Sequence, residues 1–162
     1  MPRLPHGARV PLSPAQARIW FFTQMYPSST EYNVFDTVLL DAMPSEDQLM
    51  AALRTLIERH DGLRLRIFQD GGVPVQEDIG PYEPEVAWHD LSGLPQEEAE
   101  AEARDIANAA TRELLRPEEP PLVRFIAIRM PSGKGRIVFG FHHLIADYWS
   151  WTLLVRELAA LL

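Results

Sequence analysis

The sequence predicts a domain of the α/β (or α+β) class, with a mixed β-sheet flanked by helices. Three observations carry this reading. Helix-patterned stretches interleave with short strand-forming runs along the 162 residues. The run from Arg136 to Phe141 is almost continuously apolar, as a strand covered on both faces must be. Hydrophobic residues make up 46 % and charged residues 23 %, which is enough for one domain with a real core.

The elements follow in chain order. Ser13-Pro14-Ala15-Gln16 opens a helix: Ser13 can cap, Pro14 suits the first turn and Gln16 can reach back as a capping box. Ile19, Phe22 and Met25 continue at helical spacing, and Tyr26-Pro27-Ser28-Ser29 ends the helix. Val34 to Leu40 is rich in strand formers. Ser45-Glu46-Asp47-Gln48 is a second capping box, followed by Leu49, Leu53, Leu56, Ile57 and His60 near one helical face. Asp61-Gly62 breaks that helix.

Leu63, Leu65 and Ile67 alternate with Arg64, Arg66 and Phe68, which predicts a strand. Asp70-Gly71-Gly72 is a hairpin turn joining it to Val73–Ile79. A short strand is expected at Glu85–Trp88, and His89-Asp90 reads as its end. A long helix follows from Pro95 to Leu115, with Ala103, Ile106, Ala107, Ala110 and Leu114 inward. Its early glutamates suit the positive end of the helix dipole. After Pro117 and Pro120-Pro121 come strands Leu122–Met130 and Arg136–Phe141, separated by the turn Ser132-Gly133-Lys134-Gly135. A last helix runs from Tyr148 to Leu162 with Leu153, Leu154, Leu158 and Leu161 inward.

Composition narrows the partners. The formal net charge of −8 disfavours nucleic acid and anionic lipid. With no cysteine there is no disulfide framework, no thiolate nucleophile and no cysteine zinc site, which fits a cytoplasmic location. No apolar run is long enough to span a membrane. Met1 to Val10 holds Arg3 and Arg9 but no apolar centre, so it reads as a flexible lead-in and not a secretory signal. The domain proper is expected over 11–162.

The residues that carry chemistry lie at Phe141-His142-His143-Leu144-Ile145-Ala146-Asp147-Tyr148-Trp149-Ser150, where a buried strand gives way to a helix. Such a junction aims side chains into a cleft and can offer unpaired amides to a developing oxyanion. Histidine is the usual proton shuttle near neutral pH. Other readings stay open on these residues alone. Adjacent histidines point in opposite directions if the strand persists, so the pair can be a packed histidine beside an exposed one. His142, His143 and Asp147 are also admissible metal ligands, though adjacent histidines suit one metal poorly. His60 and His6 read as structural or exposed.

His-His-x-x-x-Asp followed by Trp149 and Ser150 resembles the signature of condensation domains of non-ribosomal peptide synthetases, within the chloramphenicol-acetyltransferase-like superfamily. Two further segments match in order. Ser13-Pro14-Ala15-Gln16-Ala17-Arg18-Ile19-Trp20 resembles that family's first motif, with Ile19 in place of Leu or Met. Arg59-His60-Asp61-Gly62-Leu63-Arg64 resembles its second, with Asp61 in place of Glu. The resemblance implies amide formation between a carrier-bound acyl or peptidyl thioester and a carrier-bound aminoacyl acceptor. No metal and no free cofactor is implied; the phosphopantetheine arm arrives with the donor and acceptor carrier proteins.

It also implies roles. His143 would act at the attacking amine as base or positioner, and His142 would pack and hydrogen-bond. Asp147 would pair with Arg64 and hold the loop; Ser150 would support the site. Tyr148 stands where the family usually has glycine, and is expected to narrow the channel and shift the substrate range. A whole domain of the family has two lobes, and the matched motifs belong to the first. The chain is therefore expected to be an amino-terminal lobe, inactive or nearly so without its second, with an open apolar face that favours dimerisation. Two rival readings are a non-catalytic platform that recruits carriers or other proteins, and an ester- or amide-forming acyltransferase of the same superfamily.

Overall fold

The structure is a computed structural model that describes residues 7–162. Residues 1–6, with Arg3, His6 and most of the expected lead-in, lie outside the described residues.

The strands are β1 (Val10–Pro11), β2 (Asn33–Leu40), β3 (Leu65–Asp70), β4 (Val73–Asp78), β5 (Val86–Asp90), β6 (Val123–Arg129) and β7 (Gly135–His142). The helices are α1 (Pro14–Met25), α2 (Glu46–Arg59), α3 (Gln96–Ala110) and α4 (Tyr148–Leu161). The main sheet has the order β2-β7-β6-β5, antiparallel except for the parallel pair β5 and β6. A smaller antiparallel sheet runs β1-β4-β3. The mixed sheet flanked by helices is the predicted class.

Alternation along β7 explains the layering. Ile137, Phe139 and Phe141 point to one face, where α2 and α4 contribute Leu49, Leu53, Leu56, Leu154 and Leu158. Val138 points to the other face, where α3 contributes Ala99, Ala103 and Ala110. Both faces of β7 are covered, so its run of apolar residues is required by burial. Small residues on α3 let that helix lie close to the strands. At Gly140 a Cβ would stand 2.1 Å from the Phe35 ring of the paired strand, so only glycine leaves that ring its place.

Both capping boxes form as predicted, at Ser13/Gln16 and Ser45/Gln48. Several boundaries differ. Residues Asp61–Arg64 fold into a 3-10 turn, and β3 begins only at Leu65. Leu63 donates its N–H to the His60 carbonyl at 3.0 Å and its side chain enters the main core, while Ile67 enters a separate cluster with Trp20 and Leu144. The apparent alternation thus joined residues of two different cores. α3 stops at Ala110, not Leu115, because the following segment is held elsewhere: Asn33 Nδ2 donates to the Glu113 carbonyl, and Ile67 N–H to the Pro117 carbonyl. Leu115 is buried there. The end of the lead-in is not free: Gly7 N–H donates to the Asp78 carbonyl and Val10 pairs with Gln76. Leu153, expected inward, is 54 % exposed. No helix among the described residues is long and apolar enough to cross a membrane.

Candidate active site

β7 delivers the two histidines to the edge of the core. His142 is its last residue, opposite Asn33, and its carbonyl accepts from Ile145 N–H at 3.0 Å, closing a tight turn. Leu144 then drops into the small cluster with Trp20 and Ile67, which pins the turn to the α1 side of the protein.

His142 is buried. Its Nδ1 accepts from Leu144 N–H at 3.1 Å, which assigns the neutral ring's proton to Nε2. Its ring lies nearly parallel to Tyr32 with centroids 6.5 Å apart. Burial, and secondarily the neighbouring His143, pushes its pKa down to about 4. Between about pH 6.5 and 4 the unfolded chain therefore binds the proton that the folded one refuses, so stability should fall as pH drops through that window. The expected contribution by pH 5 is on the order of 2 kcal/mol. Denaturation midpoints at pH 7 and 5, for wild type and His142→Asn, check this; the pH dependence should shrink in the variant.

His143 turns the other way. Its N–H donates to the Tyr32 carbonyl at 2.7 Å, and its side chain is exposed. It lines an open cleft of about 670 Å³ together with Gln16, Arg18, Tyr32, Asp147 and Ser150. His142 lines a different cavity of about 350 Å³, beside Leu115 and Pro117. The two residues thus border separate spaces: His142 ends the strand and His143 opens the turn that follows. Among the described residues no group of three or more His, Asp or Glu side chains is gathered as a metal site.

Asp147 is the N-cap of α4. Its Oδ1 accepts from Ser150 N–H at 2.8 Å and from Ser150 Oγ at 2.7 Å. These bonds, with the nearby His143 as a smaller cause, hold the carboxyl below the usual aspartate range. Asp147 does not pair with Arg64, and the expectation of that ion pair is corrected. The buried Arg64 guanidinium instead grips Asp78 with Nε and Nη2 at 2.9 and 2.7 Å, and meets Asp61 at 2.7 Å. It also donates to the Ile57 and Glu58 carbonyls at the end of α2. The reason is the 3-10 turn, which carries Arg64 under α2 and toward β4. Asp147→Ala should then cost about 1 kcal/mol, the loss of an exposed cap, and not the roughly 3–5 kcal/mol of a broken buried pair. Urea denaturation distinguishes the two.

Ser150 lines the cleft; Tyr148 does not. It is 74 % exposed, lies edge-to-face with Trp149 at 6.2 Å, and lines neither cavity that borders the loop. The amides of His143, Leu144, Ile145 and Ser150 are all donated within the protein, so the junction does not offer these four to an oxyanion.

Several site-forming residues escaped the sequence reading. Tyr32 supplies both a wall and a carbonyl to the His143 backbone. Glu157 on α4 binds His60 Nε2 at 2.5 Å and also pairs with Arg59, tying α4 to the end of α2. At Gly62 a Cβ would come within 3.0 Å of the Ile145 carbonyl, so glycine lets that end approach the histidine loop. These partners lie up to 111 residues apart in the chain, Tyr32 to His143, and carry no local signal.

Comparison with known proteins agrees with this architecture. The family model for the condensation domain matches residues 7–162. Chondramide synthase cmdD of Chondromyces crocatus is 32 % identical over 158 residues, covering 98 % of this chain and 4 % of that protein. Phosphinothricin tripeptide synthetase PhsC of Streptomyces viridochromogenes is 32 % identical over 163 residues, covering 100 % and 15 %. Among solved structures, the starter condensation domain of rhizomide synthetase superposes with a TM-score of 0.87 at 23 % identity, covering 96 % of this chain and 39 % of that one. The first condensation domain of the CDA synthetase gives 0.86 at 24 % identity, covering 97 % and 40 %. The chain therefore spans a small part of its curated relatives and about two fifths of the solved domains whose fold it shares. By the family match over nearly its whole length, this chain belongs to the condensation-domain family.

Proposed function

We propose that this chain supplies the histidine-bearing wall of a site that joins two carrier-borne substrates through an amide. The observation that carries the reading is His143. It is an exposed residue just past the end of a mostly buried strand, held by its backbone to Tyr32 and lining a cleft of about 670 Å³. The donor is an acyl or peptidyl thioester and the acceptor an aminoacyl thioester, each on the phosphopantetheine arm of a carrier protein. The amine nitrogen attacks the donor carbonyl carbon, the C–N bond forms and the C–S bond breaks. His143 takes or positions the amine proton, which passes to the departing thiolate. Holding both arms in one cleft contributes by proximity, up to roughly 7–11 kcal/mol in favourable systems.

Tyr148, Trp149 and Leu153 form an exposed apolar stretch at the start of α4, next to the cleft. We place the covering lobe of the domain over this stretch, or a second copy of the chain where that lobe is lacking.

Intact-protein mass spectrometry of the acceptor carrier tests the reading. The protein, alone and with a second lobe supplied, is incubated with acyl-loaded donor and aminoacyl-loaded acceptor carriers. With the second lobe supplied the acceptor should gain the acyl mass; the chain alone should give little or none. No gain with either preparation across several donors, while both carriers still bind, would identify a recruiting platform.

A further inference from the structure

Besides the backbone bonds of His143 N–H to Tyr32 and of Ile145 N–H to His142, the loop that carries His143 is held by side chains. Leu144, the next residue, has its N–H bound to His142 Nδ1 and its carbonyl bound to Gln16 Nε2 at 3.1 Å. Leu144 is buried, so its carbonyl depends on that donor.

Gln16 sits in the first turn of α1 and its amide is saturated. Oε1 accepts from Ser13 N–H at 2.9 Å and from Gln76 Nε2 at 3.2 Å, while Nε2 donates to Leu144 and to Gln76 Oε1 at 2.9 Å. Gln76, on β4, also donates to the Pro11 carbonyl at 3.1 Å. The orientation of the Gln16 amide is fixed by its neighbours. Ser13 N–H can only donate, so it faces Oε1; the Leu144 carbonyl can only accept, so it faces Nε2. One side chain thus locks α1, the small sheet and the histidine loop together, from within the cleft that His143 lines.

We propose that Gln16 is a positioning residue: through its bond to the Leu144 carbonyl it fixes the backbone from which His143 reaches the cleft. Capping α1 is its second task, and the two tasks use different atoms. The capping atom is Oε1; the positioning atom is Nε2. The part of this inference that concerns rate rests on the amide-forming reading above; the part that concerns the loop does not.

Two variants separate the tasks. Gln16→Glu keeps the acceptor for Ser13 N–H but sets a carboxylate oxygen against the Leu144 carbonyl. Ser13→Ala removes a cap and leaves the Leu144 bond intact. For Gln16→Glu, hydrogen exchange at the Leu144 and Ile145 amides should speed up at least about tenfold, with Val138 and Phe139 unchanged, because the lost Nε2 bonds, to Leu144 and to Gln76, lie outside β7. Its Tm should stay within about 3 °C of wild type. Under saturating carriers its transfer rate should fall roughly 10–100-fold with half-saturation unchanged, the scale of an ångström of misplacement. Ser13→Ala should lower Tm by about 2–4 °C and leave loop exchange and rate alone. Gln16→Met, of similar length and without charge, should repeat the loop-specific loss of protection if Gln16→Glu folds poorly. Unchanged loop exchange in both Gln16 variants would overturn the proposal. So would rates that simply follow Tm across all three variants. If the wild type with a second lobe supplied transfers nothing, the amide-forming reading fails while the exchange measurement still decides the role of Gln16.

Discussion

Arg64→Ala should come close to unfolding the protein. The guanidinium is 3 % exposed and donates to two carbonyls of α2 and to the carboxylates of Asp78 and Asp61. Its fork matches the Asp78 carboxylate in a bidentate pair, and its remaining nitrogen satisfies the last turn of α2, where a cation also complements the helix dipole. Truncation removes the donor from the buried Ile57 carbonyl and the fork from the mostly buried Asp78 carboxylate. The expected loss is about 3–5 kcal/mol, against a typical domain stability of roughly 5–15 kcal/mol. Arg64→Lys should recover only part of it, since an ammonium cannot fork or reach α2 and β4 at once. Thermal melts of the two variants beside Asp147→Ala would rank the three. An Asp147→Ala loss as large as that of Arg64→Ala would show that those two residues depend on each other after all.

The second large effect is on rate alone. His143→Ala should lower amide formation by about 10²–10⁴-fold, the usual span for a positioned acid–base group. It should barely move stability, because the ring is exposed and its backbone bond to Tyr32 is kept. His142→Ala should do the reverse: the ring is buried, packed beside Tyr32 and bonded to Leu144, so its loss loosens the fold before it touches the chemistry. Tm and single-turnover rate measured on both variants give the crossing pattern.

Half of the contrast between those two histidines was legible in the sequence: β7 is too apolar to be anything but central, so His142 at its end is buried, whereas His143 lies in the turn beyond the strand, where alternation no longer sets its direction. The capping boxes were legible, since each is a local hydrogen-bond pattern written in four residues. Arg64 was misread because its partner depends on tertiary context. A 3-10 turn at Asp61 replaced the expected strand start, and that rotation moved the guanidinium toward Asp78 and away from Asp147. The N-cap at Asp147 starts α4 with the Tyr148 side chain on the outer face, outside the cleft that His143 lines. Gln16 was read as a cap, which it is. Its bond to a carbonyl 128 residues away could only be seen once the chain was folded.

The most direct test of the site is affinity labelling by a carrier protein whose phosphopantetheine arm ends in a chloroacetyl amide, a group that alkylates an imidazole held close to it. Peptide mapping should place the adduct on His143, and His143→Ala should abolish it without weakening carrier binding. An adduct on His60 or His89, or none from a carrier that demonstrably binds, would contradict the assignment of the His143 cleft as the place where the arm delivers its substrate.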